Sequence, residues 1–281
     1  MNVMRQGVSR DTGQNLLVDN GPVVRAARQD DLEAIVSLEL EAFHDAYESP
    51  HDPLTIASVR RNFAERLELL GSWARVLEIP GYGIAGMNFA FPIRLGLSEL
   101  AELCDEGRFM QAPDVIREIL DEEGSAMWGL VLAVAPSAGL LSGLSYLAAD
   151  MAKLKAARGI QHTYFFSRLP GLARWVTEQM PGVRPAELSS ERRDALARQY
   201  LRATVRRGSI SRMADPLLAM YVESGAVPVK LVSTWGNGCI PRGIDVPSLG
   251  YKVLCERKPG GARRNGKPGG KNDLPGHRNL G

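Results

Sequence analysis

Gly139, Ser142 and Gly143 fall in one short stretch, APSAGLLSGLS, between a continuous apolar run and a helical pattern. Small residues let a backbone come close to a ligand. A loop feeding a helix N-terminus also turns free N–H groups and the positive dipole end outward, which makes an anion site. The apolar run, Trp128 to Ala135, has the length of a strand covered on both faces, and Pro136 ends it by removing a ladder donor. From Leu144 the pattern is helical, with Leu147, Met151 and Leu154 at three-to-four spacing and Lys153, Lys155 and Arg158 toward the end. Gly159 stops that helix. His162 to Phe166 is a second apolar strand, ending in Ser167 and Arg168.

Other chemistry-bearing residues are sparse. His162 opens the second strand, and a near-neutral pKa suits it to proton transfer, although a lone histidine beside an apolar run is more often structural. His44 and His51 lie in the turn-rich segment HDAYESPHDP, and Glu78 lies on an earlier strand as a further base candidate. Arg168 has the planar fork that holds a carboxylate bidentately, or that forms an ordinary salt bridge. The stretch GYGIAG, Gly81 to Gly86, matches a dinucleotide-loop pattern, but the strand-like MNFAFPI follows it where a helix is required, so it reads as a hairpin turn. There is no GxSxG elbow. Cys104, Cys239 and Cys255 form no CxxC pair and the four histidines are scattered, so neither a disulfide framework nor a metal site is expected.

The elements that must hold these residues run in a mixed order. Residues 1–20 read as a loose leader. Val23 to Ala27 is a strand, after which Asp30 and Asp31 open an amphipathic helix carrying Leu32, Ile35, Val36, Leu38 and Phe43. Ser58 is positioned to cap a helix over Val59 to Leu70, closed by Gly71. Trp73 to Ile79 and Ile84 to Pro92 pair around PGYG. Residues 95–125 read as an acidic helical insertion of two short helices that packs on an edge or covers a site. After the central unit come helices over Gly171 to Met180, over Ser190 to Val205 and over Asp215 to Glu223, then strands over Val227 to Thr234 and Gly250 to Glu256. The expected class is α/β (α+β), a single domain over 21–257 with a mixed sheet. Residues 258–281 read as a disordered, basic, glycine-rich tail.

Composition narrows the function classes. Hydrophobic residues make up 44% and charged residues 23% of the 281, which is ordinary for a soluble globular protein. A net charge of +2 is too small to argue for specific nucleic-acid binding, and from Glu256 onward seven basic residues face two acidic ones. No apolar run reaches about 18 residues and no signal-peptide core is visible, so a cytoplasmic protein with no membrane partner is expected.

Over roughly Val23 to Glu256 the chain resembles the GNAT N-acetyltransferase superfamily. VRAARQDDLEAIVSLELEAF looks like its first strand and helix. LVLAVAPSAGLLSGLSYLAADMAKLKAARGI looks like its coenzyme A motif. DPLLAMYVESGAVPVKLV is similar to the helix and strand in which a tyrosine stands four residues before a glycine, here Tyr221 and Gly225. SRLPG, RRGSISRMADPLLAMYVESGA and PSLGYKVL are most similar to a subgroup fused to nitrilase-like amidases or placed at the start of polyketide assembly lines.

The resemblance implies a mostly antiparallel sheet of about seven strands and a GNAT-type N-acyltransferase. Its co-substrate is an acyl-CoA, acetyl-CoA first among them, with no metal. The implied contacts for the pantetheine arm and pyrophosphate are Leu132, Val134, Ala135, Gly139, Leu141, Ser142, Gly143 and Leu144. Tyr221 is the implied acid for the departing thiolate, with His162 as a base candidate. Ser167, Arg168 and His44 border the acceptor, a small-molecule amine. The family's pyrophosphate loop usually carries a Gln or Arg ahead of its small residues, and no register of PSAGLLSGLS supplies one. A looser loop is compatible with an acyl carrier protein's phosphopantetheine as an alternative in secondary metabolism, and a catalytically silent binding module is a third reading. In the assembly-line relatives the positions of Tyr221 and Ser167 look like histidine and threonine, residues that go with decarboxylation, so their absence favours plain acyl transfer. A homodimer is compatible with the fold.

Overall fold

A computed structural model describes residues 21–108, 111–136, 140–207, 210–233 and 245–258. The expected leader, Gly139, Cys239 and the tail from residue 259 onward lie outside the described residues. Strand β1 (Val23–Ala26) leads into α1 (Leu32–Ala42) and α2 (Pro53–Leu70). Next come the hairpin β2 (Ala74–Ile79) and β3 (Gly83–Ile93), then the short helices α3 (Leu97–Asp105) and α4 (Pro113–Ile119). The central unit is β4 (Ala126–Val134), α5 (Leu140–Ala157) and β5 (His162–Arg168). It is followed by α6 (Leu172–Gln179), α7 (Ser190–Arg202), β6 (Thr204–Arg207), β7 (Ile210–Met213), α8 (Pro216–Glu223), β8 (Ala226–Ser233) and β9 (Tyr251–Arg257).

Seven strands form one sheet in the order β1-β2-β3-β4-β5-β9-β8. β4 and β5 pair parallel, as a strand–helix–strand crossover requires, and every other neighbour is antiparallel. GYGIAG is the β2–β3 hairpin, with Gly81 (φ 77°) and Gly83 (φ 92°) in the left-handed region its turn needs.

Helices cover both faces. Ile35, Val36 and Leu38 of α1 and Val59, Phe63, Leu67 and Leu70 of α2 enter the main core with Phe89, Trp128 and Tyr164 of the sheet. Phe63 meets Phe89 edge-on at 5.6 Å, and each such ring contributes roughly 1.5–3 kcal/mol by leaving water. On the other face α5 lies over β2, β3 and β4, where Leu77, Ala85, Val134 and Leu147 make a smaller cluster. Beside it α6, α7 and α8 close over Phe165, Tyr251, Val253 and Cys255.

Several boundaries differ from those expected. Asp52, not Ser58, caps the second helix: its carboxylate accepts from Thr55 N at 3.0 Å and Pro53 fills the first turn, so the helix starts five residues earlier than Ser58. Ser189 caps α7, and that helix ends at Arg202 because the β-branched pair Thr204 and Val205 joins a β6–β7 hairpin instead. The central helix starts at Leu140 rather than Leu144, which places Leu141, Ser142 and Gly143 within its first turn.

Candidate functional site

The sheet has a built-in opening. β4 and β5 pair only from Ala126↔His162 to Gly129↔Phe165. At the same level the β3–β4 register skips from Phe89↔Val131 to Ala90↔Gly129, leaving Leu130 as an extra residue on β4. Such a bulge bends its strand and flips the side-chain alternation beyond it. Trp128 and Leu130 face the α1–α2 core before the skip, while Val131, Ala133 and Ala135 face it afterward. Val134 therefore points the other way, toward α5. β4 bends away from β5 while β5 stays paired with β9, so among the described residues β4 has, from Leu130 onward, a strand neighbour on the β3 side alone. The gap exposes a row of backbone amides to which an extended ligand can add as a strand.

A cavity of about 400 Å³ occupies this gap. Leu130, Val131 and Leu132 form its β4 wall, and Phe166 and Arg168 its β5 wall. It reaches through the sheet, because Glu39, Tyr47 and Arg66 line it from the α1–α2 face while Leu217 and Tyr221 of α8 line it from the opposite face. Gln111, Ala112 and Pro113 line it from the start of α4.

Tyr221 is half-buried against Phe165, ring centroids 4.7 Å apart. Burial raises its phenol pKa, with the nearby Cys255 thiol adding to the rise, so the hydroxyl keeps its proton at neutral pH. Asp215 caps α8 by accepting from Leu217 N and Leu218 N, and also accepts from Tyr200 Oη at 3.1 Å, which fixes the helix that carries Tyr221. Gly225, at φ 95°, ends the turn after it.

Arg168 lines the cavity but is already engaged. Its Nε and Nη2 each sit 2.7 Å from a different oxygen of Asp245, and Nη2 also reaches Asp45 at 3.2 Å. Burial works against the charge, but the Asp245 carboxylate outweighs it and raises the guanidinium pKa. The fork thus ties β5 to the turn before β9 and to the segment after α1. Ser167 is fully buried, its Oγ donating to Arg168 O at 3.0 Å. His44 is exposed on the short 3₁₀ turn His44–Ala46, while its neighbours Phe43, Ala46 and Tyr47 line the cavity.

The structure does not bring His162 to this cavity. It sits at the closed end of the β4–β5 ladder, beside Ala126, with Nδ1 2.9 Å from Glu256 Oε1. Glu78 is held by Arg25 on the outer side of β2. Burial pushes the Cys104 thiol up to about 11 and the Cys255 thiol to about 12, so neither supplies a thiolate nucleophile at neutral pH. Among the described residues no group of His, Cys, Asp and Glu stands ready to hold a metal ion, and no helix is long and apolar enough to cross a membrane.

Of the expected pantetheine and pyrophosphate contacts, Leu132 lines the cavity. Val134 and Ala135 are buried, and Ala135 N–H extends the β3 ladder by donating to Ala85 O at 2.8 Å. Leu144, on α5, packs against the small cluster of Leu77, Ala85, Val134 and Leu147. Gly143 serves helix–strand packing: a Cβ there would meet Val134 Cγ1 at 2.6 Å. Arg75 reinforces that seat with bonds of 2.8 and 3.1 Å to Asp150 of α5. The α5 N-terminus is thereby held against the end of β4, where the gap opens.

Four charged lining residues were not foreseen: Asp245, described above, and Glu39, Arg66 and Lys252. Glu39 accepts from Tyr47 Oη at 2.9 Å through one oxygen, while Oε2 is sealed from solvent without a partner. Burial raises its carboxyl pKa, with the Arg66 charge opposing the rise. Arg66 donates from Nη2 to Gln111 O at 2.8 Å, and its Nε is buried without a partner. Lys252 reaches Gln111 Oε1 at 2.6 Å. The signal was present in the sequence: Glu39 follows Ile35 by four, Arg66 follows Phe63 by three, and Lys252 interrupts the strand YKVL. A charge at an apolar-face position is a buried-polar marker.

No family model matches this chain, and no curated protein matches it. Solved structures do. The GphF GNAT-like decarboxylase in complex with isobutyryl-CoA superposes with a TM-score of 0.57 at 22% identity, covering 84% of this chain and 98% of that one. The loading GNATL domain of CurA from Lyngbya majuscula gives 0.53 at 16% identity, covering 85% and 98%.

Proposed function

We propose that this chain, which has the fold of the GNAT-like proteins, is an acyltransferase that takes an acyl thioester into the gap between β4 and β5 and moves the acyl group to an amine. The observation that carries this reading is the one-sided β4 edge beyond Gly129, with Tyr221 reaching the same cavity from α8. An extended pantetheine arm has amides that can pair with that edge, and the α5 N-terminus after β4 supplies N–H groups and dipole for the phosphates of an acyl-CoA. Isobutyryl-CoA bound to the GphF protein supports an acyl-CoA donor, with acetyl-CoA as the simplest case.

Few chemical parts are needed. The amine loses a proton and attacks the thioester carbonyl carbon. The C–S bond breaks, and Tyr221 Oη protonates the thiolate. Tyr221 suits the acid role because burial keeps it protonated. Glu39 is the base candidate that lines the cavity, on the face opposite Tyr221, and its raised pKa brings it closer to the operating range of a base. Ser167, fully buried and donating to Arg168 O, is occupied structurally, which supports plain transfer over decarboxylation.

One observation favours a second donor, a carrier protein's phosphopantetheine: PSAGLLSGLS lacks a Gln or Arg for the pyrophosphate, and a loading domain shares the fold. A thermal-shift series with CoA, acetyl-CoA, longer acyl-CoAs and acyl-phosphopantetheine separates the donors. Ligand at about 100 times its Kd adds roughly 2.7 kcal/mol of stability. No shift with any thioester, and no thiol released with any amine, contradicts the proposal.

A further inference from the structure

Among the described residues four side-chain polar atoms are buried without a hydrogen-bond partner, and two of them, Glu39 Oε2 and Arg66 Nε, belong to residues lining this one cavity. They carry opposite charge. Each influences the other electrostatically, yet each is held by a third group instead of closing an ion pair: Glu39 by Tyr47 Oη, Arg66 by Gln111 O. A native structure seldom leaves a buried donor and a buried acceptor open together. Their common position, on the α1–α2 side and across the sheet gap from Tyr221, is the side left for an acceptor once the thioester lies along β4.

We infer that the acceptor is zwitterionic, an amine with a carboxylate a few bonds away in the manner of an α-amino acid, whose ammonium is paired by the Glu39 carboxylate and whose carboxylate is paired by the Arg66 guanidinium, each side chain turning its covered atom onto the ligand as it binds. This rests on the acyltransferase reading above. A simple amine would satisfy Glu39 but leave its cation beside Arg66. An acyl group bearing a carboxylate would satisfy Arg66 but leave Glu39 open and repelled. One zwitterion closes both. The proton balance follows: the ammonium gives one proton to Glu39 Oε2, and the nitrogen lone pair forms the C–N bond. As the C–S bond breaks, Tyr221 protonates the sulfur and is reprotonated by the second nitrogen proton. The Glu39 proton leaves to solvent, so the products are an amide, a free thiol and one proton.

The test pairs acceptors that differ only in the carboxylate, leucine with 3-methylbutylamine and phenylalanine with 2-phenylethylamine. Thiol release is measured with the acyl-CoA that gives the largest thermal shift, and acyl-CoA binding is measured separately by calorimetry. The amino acids are expected to exceed their amines in kcat/KM by about 10²-fold or more, since a site built to bond a polar group rejects the analogue lacking it. Arg66→Met should collapse that ratio toward one by raising KM for the amino acid far more than for the amine, and Arg66→Lys should restore part of it. Amines used as well as amino acids, or a ratio insensitive to Arg66→Met, overturns the inference while bound acyl-CoA leaves the acyltransferase reading standing. Absence of acyl-CoA binding and of turnover with every acceptor removes both.

Discussion

Replacing Arg168 with Met separates a structural from a substrate-contacting arginine. Its two 2.7 Å bonds to Asp245 are shielded, with side-chain exposures of 17% for Arg168 and 3% for Asp245. Among the described residues, the substitution leaves the buried Asp245 carboxylate with Ser248 N at 3.3 Å and no cation. It also removes the guanidinium stacked 5.6 Å from the Phe43 ring. Breaking one side of a buried pair costs about 3–5 kcal/mol, and the more exposed Asp45 contact adds at most about 1 kcal/mol. For a domain of this size about 1 kcal/mol moves Tm by roughly 2–4 °C, so the loss of about 3–6 kcal/mol corresponds to a Tm drop of about 6–24 °C. The double variant Arg168→Met with Asp245→Leu should recover most of it, because an apolar pair of similar volume is often neutral or better than a buried ion pair. Differential scanning fluorimetry on the single variants and the double variant measures this. A drop below about 2 °C for Arg168→Met, or a double variant no more stable than the worse single, refutes the reasoning and returns Arg168 to the substrate.

Three further outcomes follow from the same geometry. Tyr221→Phe should lower kcat by about 10²–10⁴-fold while leaving the acyl-CoA Kd within about twofold, because a proton donated only in the transition state adds nothing to ground-state binding; stopped-flow thiol release and calorimetry check the two halves. Glu39 is held above the ordinary carboxylate pKa by burial, so the folded state keeps its proton more tightly than the unfolded chain. Its contribution to stability is full below the unfolded pKa and is lost as pH rises through the folded one. Glu39→Gln should therefore match the wild type at about pH 4, exceed it in Tm at about pH 8, and lose turnover; a gap that does not widen with pH contradicts the burial argument. Gly143→Val should cost about 1–3 kcal/mol by overpacking and raise the acyl-CoA Kd, because the new side chain meets Val134 at the α5 seat; denaturant melts and calorimetry read both.

The order of elements was legible because their caps and periodicities agree with one another, from Asp31 before α1 to Gly225 after α8. The sheet opening was not. In GLVLAV nothing but small and apolar residues occurs, so one extra residue changes no visible pattern, and only the pairing reveals that Leu130 is the bulge. Tyr221 was legible through its spacing from Gly225, and it lines the cavity. Arg168 was legible as a fork, but its partner Asp245 lies 77 residues away beyond a glycine- and proline-rich loop. Gly143 was read as a point of close approach to a ligand, and the close approach in the structure is to Val134. Glu39 and Arg66 were readable as charges on apolar helix faces, although no periodicity could show that the two share a cavity without pairing.

The most direct test of acyl-thioester binding in the β4–β5 gap is a crystal structure with a non-hydrolysable acyl-CoA in which a methylene separates carbonyl and sulfur. The pantetheine arm is predicted to pair along β4 from Leu130 to Val134, with the sulfur within hydrogen-bond reach of Tyr221 Oη and the acyl carbonyl facing the Glu39 side of the gap. An analogue bound elsewhere, or one whose sulfur lies away from Tyr221 with β4 and β5 closed together, contradicts it.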